Sequence, residues 1–218
     1  MIVSEISTYE WERYLATQGS TAVAGVDEVG RGALAGPLMA GAVILPGPED
    51  ILRDLDFWLT VRDSKTISFK RRSILAEGIL QRIRAYALGT VEAEELDHIG
   101  VAAANRSAME RAVTGLEIEP DYLLIDATTI DLPQPQQGII DGDALSLSIA
   151  AASIIAKVAR DTIMIEMDIR WPGYGFASHK GYAARLHREA LDALGPCPIH
   201  RFCYAPVRAA ALEHGRGR

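Results

Sequence analysis

The chain has 218 residues, 49% of them hydrophobic and 23% charged, and a formal net charge of −7 at pH 7. This length and composition are typical of one large globular domain with a substantial buried core. No apolar run reaches the roughly 18 residues that a membrane-spanning helix needs. The N-terminus (MIVSEISTYEWERY) is acidic and lacks the basic and apolar regions of a signal peptide. We therefore expect a cytoplasmic protein in which Cys197 and Cys203 are reduced thiols.

The charge is unevenly distributed along the chain. Residues 176–218 carry seven Lys and Arg against three Asp and Glu, together with four of the five histidines. Residues 1–175 carry fifteen against twenty-six. A basic C-terminal segment can bind an anionic polymer in spite of a negative total charge. On charge alone, such a binding surface and an ordinary solvated face are equally consistent with this pattern.

The predicted elements begin with a short N-terminal helix and two buried strands, and then alternate. In chain order the pattern predicts strands at 22–27 and 37–45, a helix at 67–83, a strand at 84–91, a helix at 101–115, a strand at 121–125, a loop at 132–137, a short strand at 139–140, a long helix at 145–169, a loop at 171–181, a helix at 183–194 and an irregular Pro-rich end. This order predicts an α/β fold, a mixed five-stranded sheet flanked by helices. In such sheets, sites collect beyond the carboxyl ends of the strands.

Four carboxylates stand at the ends of predicted core elements. Asp27 and Glu28 end the strand in TAVAGVDEVGRG, Asp126 ends YLLID, and Asp143 precedes the long helix. Adjacent residues on a strand point to opposite faces. Asp27 and Glu28 can therefore share a site only if the chain turns or a backbone group bridges them, and the following glycines are predicted to supply the turn. Each carboxylate also has a structural alternative, as a solvated strand end, a turn former or a helix cap.

A cluster of such carboxylates predicts bound divalent cations. Carboxylates within about 5 Å of one another raise each other's pKa values unless cations neutralise them. Oxygen-only ligands favour Mg²⁺ or Mn²⁺ over Zn²⁺. Two such ions about 4 Å apart can activate a water and stabilise the leaving oxygen of a phosphodiester displacement. The sequence therefore indicates a metal-dependent hydrolase that acts on phosphates.

Six motifs occur in the order and spacing of a known family. They are DEVGRG (Asp27–Gly32), DSK (Asp63–Lys65), IDA (Ile125–Ala127), AAASIIAKVARD (Ala150–Asp161), YGFASHKGY (Tyr174–Tyr182) and GPCPIHR (Gly195–Arg201). Together they resemble bacterial ribonuclease HII, the type 2 ribonuclease H, over residues 21 to 207. The resemblance implies a ribonuclease H-like catalytic core at 1–170 and a C-terminal helical extension at 171–218 that packs on the core and binds substrate.

The resemblance also implies the activity. The expected reactions are endonucleolytic cleavage of the RNA strand of RNA–DNA hybrids and nicking on the 5′ side of single ribonucleotides in duplex DNA. Two Mn²⁺ or Mg²⁺ ions are expected to serve the reaction, which leaves 3′-hydroxyl and 5′-phosphate ends. Hybrid and ribonucleotide-containing duplex are thus the expected partners of a monomeric protein.

The roles of single residues follow from the same resemblance. The implied catalytic and metal-binding carboxylates are Asp27, Glu28, Asp126 and Asp143. Gly30, Arg31 and Gly32 resemble a loop that reads the ribose 2′-hydroxyl through backbone groups, and Tyr182 resembles a tyrosine that packs on the sugar. The 2′-hydroxyl is what distinguishes RNA from DNA at one nucleotide, and glycine allows close approach of the backbone. The implied phosphate contacts are Lys65, Ser153, Lys157, His179 and Lys180.

Some points stay open at this stage. Asp141-Gly142-Asp143 stands where the family commonly has Lys-Gly-Asp, so Asp141 competes with Asp143 as the fourth ligand. In the basic cluster Lys65, Lys70, Arg71 and Arg72, only Lys65 is expected to be functional, and the rest is interpreted as a solvated face. The alternatives are ribonuclease HIII, which usually has an extra N-terminal domain, and a catalytically silent nucleic-acid-binding module. A nucleotide-binding regulator is disfavoured because the Gly-rich loop lacks Walker or dinucleotide spacing.

Overall fold

A mixed five-stranded sheet forms the centre of the computed structural model, which describes residues 9–61 and 68–215. Its strands are β1 (Val23–Val29), β2 (Leu38–Ile44), β3 (Ala85–Val91), β4 (Tyr122–Asp126) and β5 (Gln136–Ile139), in the spatial order β3-β2-β1-β4-β5. β2 pairs antiparallel with β1 and with β3, whereas β4 pairs parallel with β1 and with β5. The predicted fold class is therefore confirmed.

Eleven helices lie within the described ranges. They are α1 (Glu10–Thr17), α2 (Pro48–Arg53), α3 (Leu55–Trp58), α4 (Phe69–Leu80), α5 (Ala93–Ile99), α6 (Val101–Thr114), α7 (Gly142–Leu145), α8 (Leu147–Arg170), α9 (Phe176–His179), α10 (Arg185–Leu194) and α11 (Ala205–Glu213). Among these, no helix combines the length and apolarity that crossing a bilayer requires.

The sheet is buried on both faces by helices. α8 crosses one face so closely that a Cβ on Gly25 would lie 2.1 Å from the backbone carbon of Ser148, so only glycine fits there. On the other face, Ala24 and Val26 of β1 join Met109 of α6 in a fully buried core cluster. Successive residues of β1 thus alternate between the two helix layers, as the pleat requires.

Three sequence predictions about the fold are wrong in detail. The irregular Pro-rich end contains helix α11, which has a proline in its first turn, where a missing N–H costs nothing. The last strand begins at Gln136, inside the predicted loop, and ends at Ile139, while Ile140 is 77% exposed. The Gln136 side chain folds back onto the Ile130 backbone, which closes the preceding loop. The predicted loop at 171–181 contains helix α9, and the short helices α2, α3, α5 and α7 were not predicted.

The C-terminal segment packs against the loop that follows β1. Leu34 N–H donates to the Gly181 carbonyl at 2.8 Å, and Gly36 N–H donates to Ile199 at 2.8 Å. From α8, the buried Arg160 guanidinium bonds the carbonyls of Ala35, Pro37 and Lys180 at 2.8–3.1 Å. These bonds fix the segment and the loop to one another beside the end of β1.

Candidate active site

Three of the predicted carboxylates meet at the end of the central strands. One oxygen each from Asp27, Glu28 and Asp126 lies within 4.8 Å of the others. The parallel pairing of β1 and β4 ends at Val26 and Ile125, so the three side chains stand just beyond the last paired residues. The predicted convergence at the carboxyl ends of the strands is thus what the structure shows.

Asp27 and Glu28 approach this point from opposite faces of the sheet. Asp27 points toward α8, where Ser153 hydrogen-bonds its carboxylate. Glu28 points toward α6, where Asn105 hydrogen-bonds it. The predicted turn between them is wrong, because β1 continues through Val29. The carboxylates meet because both side chains extend into the gap that opens between β1 and β4.

Burial makes Asp27 and Glu28 hard to ionise without a cation. Asp27 is only 6% exposed, and burial, followed by the negative charges of Asp126, Glu28 and Asp143, raises its pKa to about 8, against the hydrogen bond from Ser153. Burial also raises the pKa of Glu28, and the charge of Asp126 adds to this effect. A desolvated, oxygen-only set of acidic side chains fits Mg²⁺ or Mn²⁺, whose positive charge would offset this cost.

The fourth carboxylate stands apart from the three. The Gly142 N–H donates to Asp126 Oδ1 at 2.7 Å, which ties the short helix α7 to the end of β4. Asp143 in α7 is half-buried, and its charge contributes to the raised pKa of Asp27. Asp141, by contrast, is exposed and has a left-handed backbone with φ of 54°. This placement favours Asp143 over Asp141 as the additional ligand.

A cavity of about 300 Å³ opens over the acidic cluster on its α8 side. It brings together most of the residues that the sequence predicted. Its lining consists of Asp27, Glu28, Val29, Gly30, Arg31, Gly32, Arg72, Asp126, Ser153, Lys157 and Tyr182.

The remaining predicted residues have other surroundings. His179 does not line the cavity: its Nε2 lies 2.8 Å from the Tyr174 carbonyl and its Nδ1 accepts from Gly181 N–H at 3.2 Å. Both ring nitrogens are thus engaged with backbone groups. The Lys180 ammonium bonds the Ala177 carbonyl and also lies outside the lining. Lys65 falls outside the described residues.

The loop at Gly30–Gly32 is held by residues that sequence reasoning did not assign. Gly30 has φ of +83°, and a Cβ there would lie 2.1 Å from Nε of Arg160. The fully buried Arg201 donates from Nη1 to the Gly30 carbonyl at 2.7 Å and to Arg31 at 3.2 Å, and Tyr204 OH also donates to Arg31. Arg160 and Arg201 both belong to quoted motifs, but nothing in the sequence shows that their charges are buried.

The solvated-face interpretation of the basic cluster is wrong for Arg72. Arg72 is 7% exposed, lines the cavity, and has Nη1 3.4 Å from Asp161 Oδ2. The other Asp161 oxygen accepts from Lys157 Nζ at 2.5 Å. The buried Asp161 carboxylate therefore pairs with two positively charged side chains at the cavity wall. Burial lowers the pKa of Lys157.

Tyr182, a residue of the C-terminal segment, lies at the cavity wall beside helix α8. The Arg160 guanidinium carbon lies 5.3 Å and Lys157 Nζ 5.5 Å from the centre of its ring. The ring is half-buried and lines the cavity. This location is consistent with a flat face offered to a bound nucleotide.

The fold and the sequence both match known proteins. Ribonuclease H2 from Pyrococcus horikoshii superposes with a TM-score of 0.76 at 25% identity, over 90% of this chain and 100% of that one. The fold is therefore ribonuclease H-like. Ribonuclease HII of Dehalococcoides mccartyi is 46% identical over 199 residues, covering 91% of this chain and 92% of the relative. Ribonuclease HII of Moorella thermoacetica is 50% identical over 194 residues, covering 88% and 91%.

The family assignment follows from these matches. The sequence model described as Ribonuclease HII matches residues 24–207. The chain belongs to the ribonuclease HII family, which consists of metal-dependent nucleases that cleave RNA in RNA–DNA hybrids.

Proposed function

We propose that this chain nicks duplex DNA on the 5′ side of single ribonucleotides, in addition to cleaving the RNA strand of hybrids, and that it leaves 3′-hydroxyl and 5′-phosphate ends. The observation that carries the proposal is that the buried Asp27 and the half-buried Glu28 and Asp126 lie close together in the lining of a cavity. Because two ions held by these carboxylates could activate a water, the reaction needs no side-chain nucleophile, and water is the proposed attacking group.

The proposed metal ligands are the three clustered carboxylates, with Asp143 as a fourth. Two bound Mg²⁺ or Mn²⁺ ions would supply an activated water and charge stabilisation at the leaving oxygen. Ser153 holds the Asp27 carboxylate by a hydrogen bond. The Gly142 N–H holds one oxygen of Asp126, and Asn105 holds Glu28. These contacts orient the ligands before a substrate arrives.

The other side of the cavity is proposed to read the ribose. Gly30, Arg31 and Gly32 line the cavity together with Tyr182. A 2′-hydroxyl both donates and accepts hydrogen bonds, so backbone amides and carbonyls can recognise it directly. Lys157 and Arg72 offer positive charge to the adjacent phosphates. Residues 171–218, which supply Tyr182, then act as the substrate-binding segment.

Lys65, His179 and Lys180 stay predicted phosphate contacts. The engaged ring nitrogens of His179 favour a role in shaping the turn that precedes Tyr182. The cytoplasmic location and the monomeric state likewise stay predictions.

A nicking assay on defined duplexes tests the proposal. The three substrates are a duplex with one ribonucleotide, the matching all-DNA duplex and a long RNA–DNA hybrid, each with Mg²⁺ or Mn²⁺ and with or without chelator. We expect nicking 5′ to the ribonucleotide, dependence on the ion, no cut in DNA alone, and product ends that a ligase or polymerase accepts as 3′-hydroxyl.

Two variants sharpen this assay. Asp27→Asn removes a proposed ligand and should abolish cleavage of both ribonucleotide substrates. Asp56→Asn changes the same residue type on the exposed side of α3 and should leave cleavage unchanged. Substantial activity of Asp27→Asn would contradict the proposed mechanism. Cleavage of the hybrid without cleavage at the single ribonucleotide would instead indicate the specificity expected of ribonuclease HIII.

A further inference from the structure

Two buried histidines lie directly behind Tyr182 and contact one another. His187 of α10 and His200 are both 0% exposed, and their Nε2 atoms are 3.1 Å apart. The outer nitrogen of each ring faces the backbone. His187 Nδ1 lies 2.8 Å from the Tyr182 carbonyl oxygen, and His200 Nδ1 lies 3.0 Å from the Cys197 amide nitrogen. The four groups form a continuous chain of hydrogen bonds.

The two ends of this chain determine where every proton lies. The Tyr182 carbonyl can only accept, so His187 Nδ1 carries a proton, and a neutral His187 accepts at Nε2. His200 must then donate from Nε2 and accept at Nδ1. The Cys197 N–H at 3.0 Å suits this arrangement and is nearer to Nδ1 than its two other neighbours, the Cys197 Sγ at 3.2 Å and the Cys197 carbonyl oxygen at 3.3 Å. Both imidazoles are therefore neutral. Burial lowers the pKa of His187 to about 4 and that of His200 to about 3, which keeps them so.

The turn that carries Tyr182 needs this support because its backbone is strained. Lys180 has φ of 54°, a left-handed conformation that is unfavourable for a residue with a side chain. Gly181 follows with φ of +82°, where a Cβ would lie 2.4 Å from the Ala35 carbonyl oxygen. The Tyr182 carbonyl accepts from His187 Nδ1 and from Ala184 N–H, both at 2.8 Å. Of these two donors, only the histidine is a side chain.

We propose that His187 and His200 form a hydrogen-bond relay in which His200 fixes the tautomer of His187 and His187 positions Tyr182 for recognition of the ribose, so that His187 determines specificity without touching substrate. This inference rests on the proposed function, in which Tyr182 reads the nucleotide at the cut. His179 completes the arrangement, since its ring stacks on His187 with centroids 4.4 Å apart and its carbonyl accepts from Tyr182 N–H at 2.9 Å.

Two substitutions of His187 separate the relay from simple packing. His187→Asn places an amide N–H near the Nδ1 position and keeps the donor to Tyr182. His187→Gln places its amide near Nε2, which keeps the contact with His200 but removes that donor. We expect kcat/KM at a single ribonucleotide to fall about five-fold in His187→Gln, as for one lost hydrogen bond, and less than about two-fold in His187→Asn. Mn²⁺ affinity should stay unchanged in both.

The control is His98→Gln, which changes an exposed histidine of α5 and should cleave like the unsubstituted chain. A double-variant cycle then tests whether His187 acts through the tyrosine. Adding His187→Gln to Tyr182→Ala should cause no further loss of cleavage, because the positioned ring is already gone. Multiplying losses, or equal losses in the Asn and Gln variants, would overturn the relay.

A measurement on the unsubstituted chain covers the case in which His187→Gln does not fold. Long-range ¹H–¹⁵N NMR of the imidazoles should show His187 protonated at Nδ1 and His200 at Nε2 at pH 7. The opposite tautomers, or a charged ring, would overturn the relay directly. The proposed function fails in a different way, namely if the unsubstituted chain does not nick at a single ribonucleotide. Nicking that depends on Tyr182 but is unaffected by His187→Gln would sink the relay alone.

Discussion

Asp27→Asn is expected to stabilise the metal-free chain even though it abolishes cleavage. Asp27 has a pKa of about 8 in the fold, against an ordinary value of 3.8. Below pH 3.8 the carboxyl is protonated in both folded and unfolded chains and costs nothing. As the pH rises from 3.8 to 8, only the unfolded chain ionises freely, so the fold loses stability.

The size of the effect follows from the difference between pH 7 and the unfolded pKa. That difference is 7 − 3.8 = 3.2 units for the value given for Asp27. At about 1.36 kcal/mol per unit it corresponds to an upper limit of about 4 kcal/mol. An asparagine of the same shape keeps a hydrogen-bonding group for Ser153 and avoids the charge. The difference in unfolding free energy between variant and unsubstituted chain should shrink to less than half of this value at pH 5.

Urea unfolding at pH 5, 6 and 7, with chelator present, measures this gap. Asp56→Asn is the matched control, because its exposed carboxyl should leave the free energy of unfolding within about 0.5 kcal/mol. Added Mn²⁺ should reduce or reverse the difference in unfolding free energy between Asp27→Asn and the unsubstituted chain. An ion at 100 times its dissociation constant stabilises the binding-competent chain by about 2.7 kcal/mol. If the metal-free variant is less stable than the unsubstituted chain at pH 7, the reasoning about burial and charge is refuted.

Four further substitutions test the site. Gly30→Ala puts a Cβ 2.1 Å from Nε of Arg160 at a φ of +83°. It should lower kcat/KM at a single ribonucleotide at least about ten-fold and lower the free energy of unfolding in urea by about 1–3 kcal/mol. Normal cleavage by this variant would refute the role of the loop. Asp143→Asn should reduce cleavage and weaken Mn²⁺ binding in calorimetry, whereas Asp141→Asn should do neither; the reverse order would make Asp141 the ligand. Tyr182→Ala should slow nicking at a single ribonucleotide more than it weakens Mn²⁺ binding, and equal losses would mean that its role is misassigned.

The clustering of Asp27 and Asp126 could be predicted because its signal is local. An acidic residue that directly follows an apolar strand is visible in the sequence, and the parallel relation of β1 and β4 brings Asp27 and Asp126 to one edge. The sequence could not show how Glu28 joins them. Its approach from the α6 side depends on the gap between two strands that are almost a hundred residues apart in the chain.

The burial of Arg72 and Arg201 could not be predicted, because it depends on residues that are distant in the sequence. Arg72 was interpreted as part of a solvated face, yet Asp161 lies beside it in the fold. Arg201 is surrounded by backbone carbonyls of the loop near Gly30, which lies 171 residues earlier. The charge pattern of a sequence gives the number of Lys and Arg side chains and their neighbours in the chain. It does not show which carbonyls or carboxylates surround them in the fold.

Helix α11 shows the same limit for local structure. The prolines of the C-terminal end predict an irregular structure there, but proline is also favoured in the first turn of a helix, as in α11. The apolar residues that follow, including Val207 and Ala210, pack against Leu191 of α10. Tertiary packing thus decided a segment whose local signals were ambiguous.

Crystals grown with Mn²⁺, with anomalous scattering recorded at the manganese edge, test the central claim most directly. The account predicts an anomalous peak within about 2.5 Å of carboxylate oxygens from Asp27 and Asp126, and loss of that peak in crystals of Asp27→Asn. A chain that cleaves hybrid in Mn²⁺ while its only ordered manganese lies away from these carboxylates would contradict it.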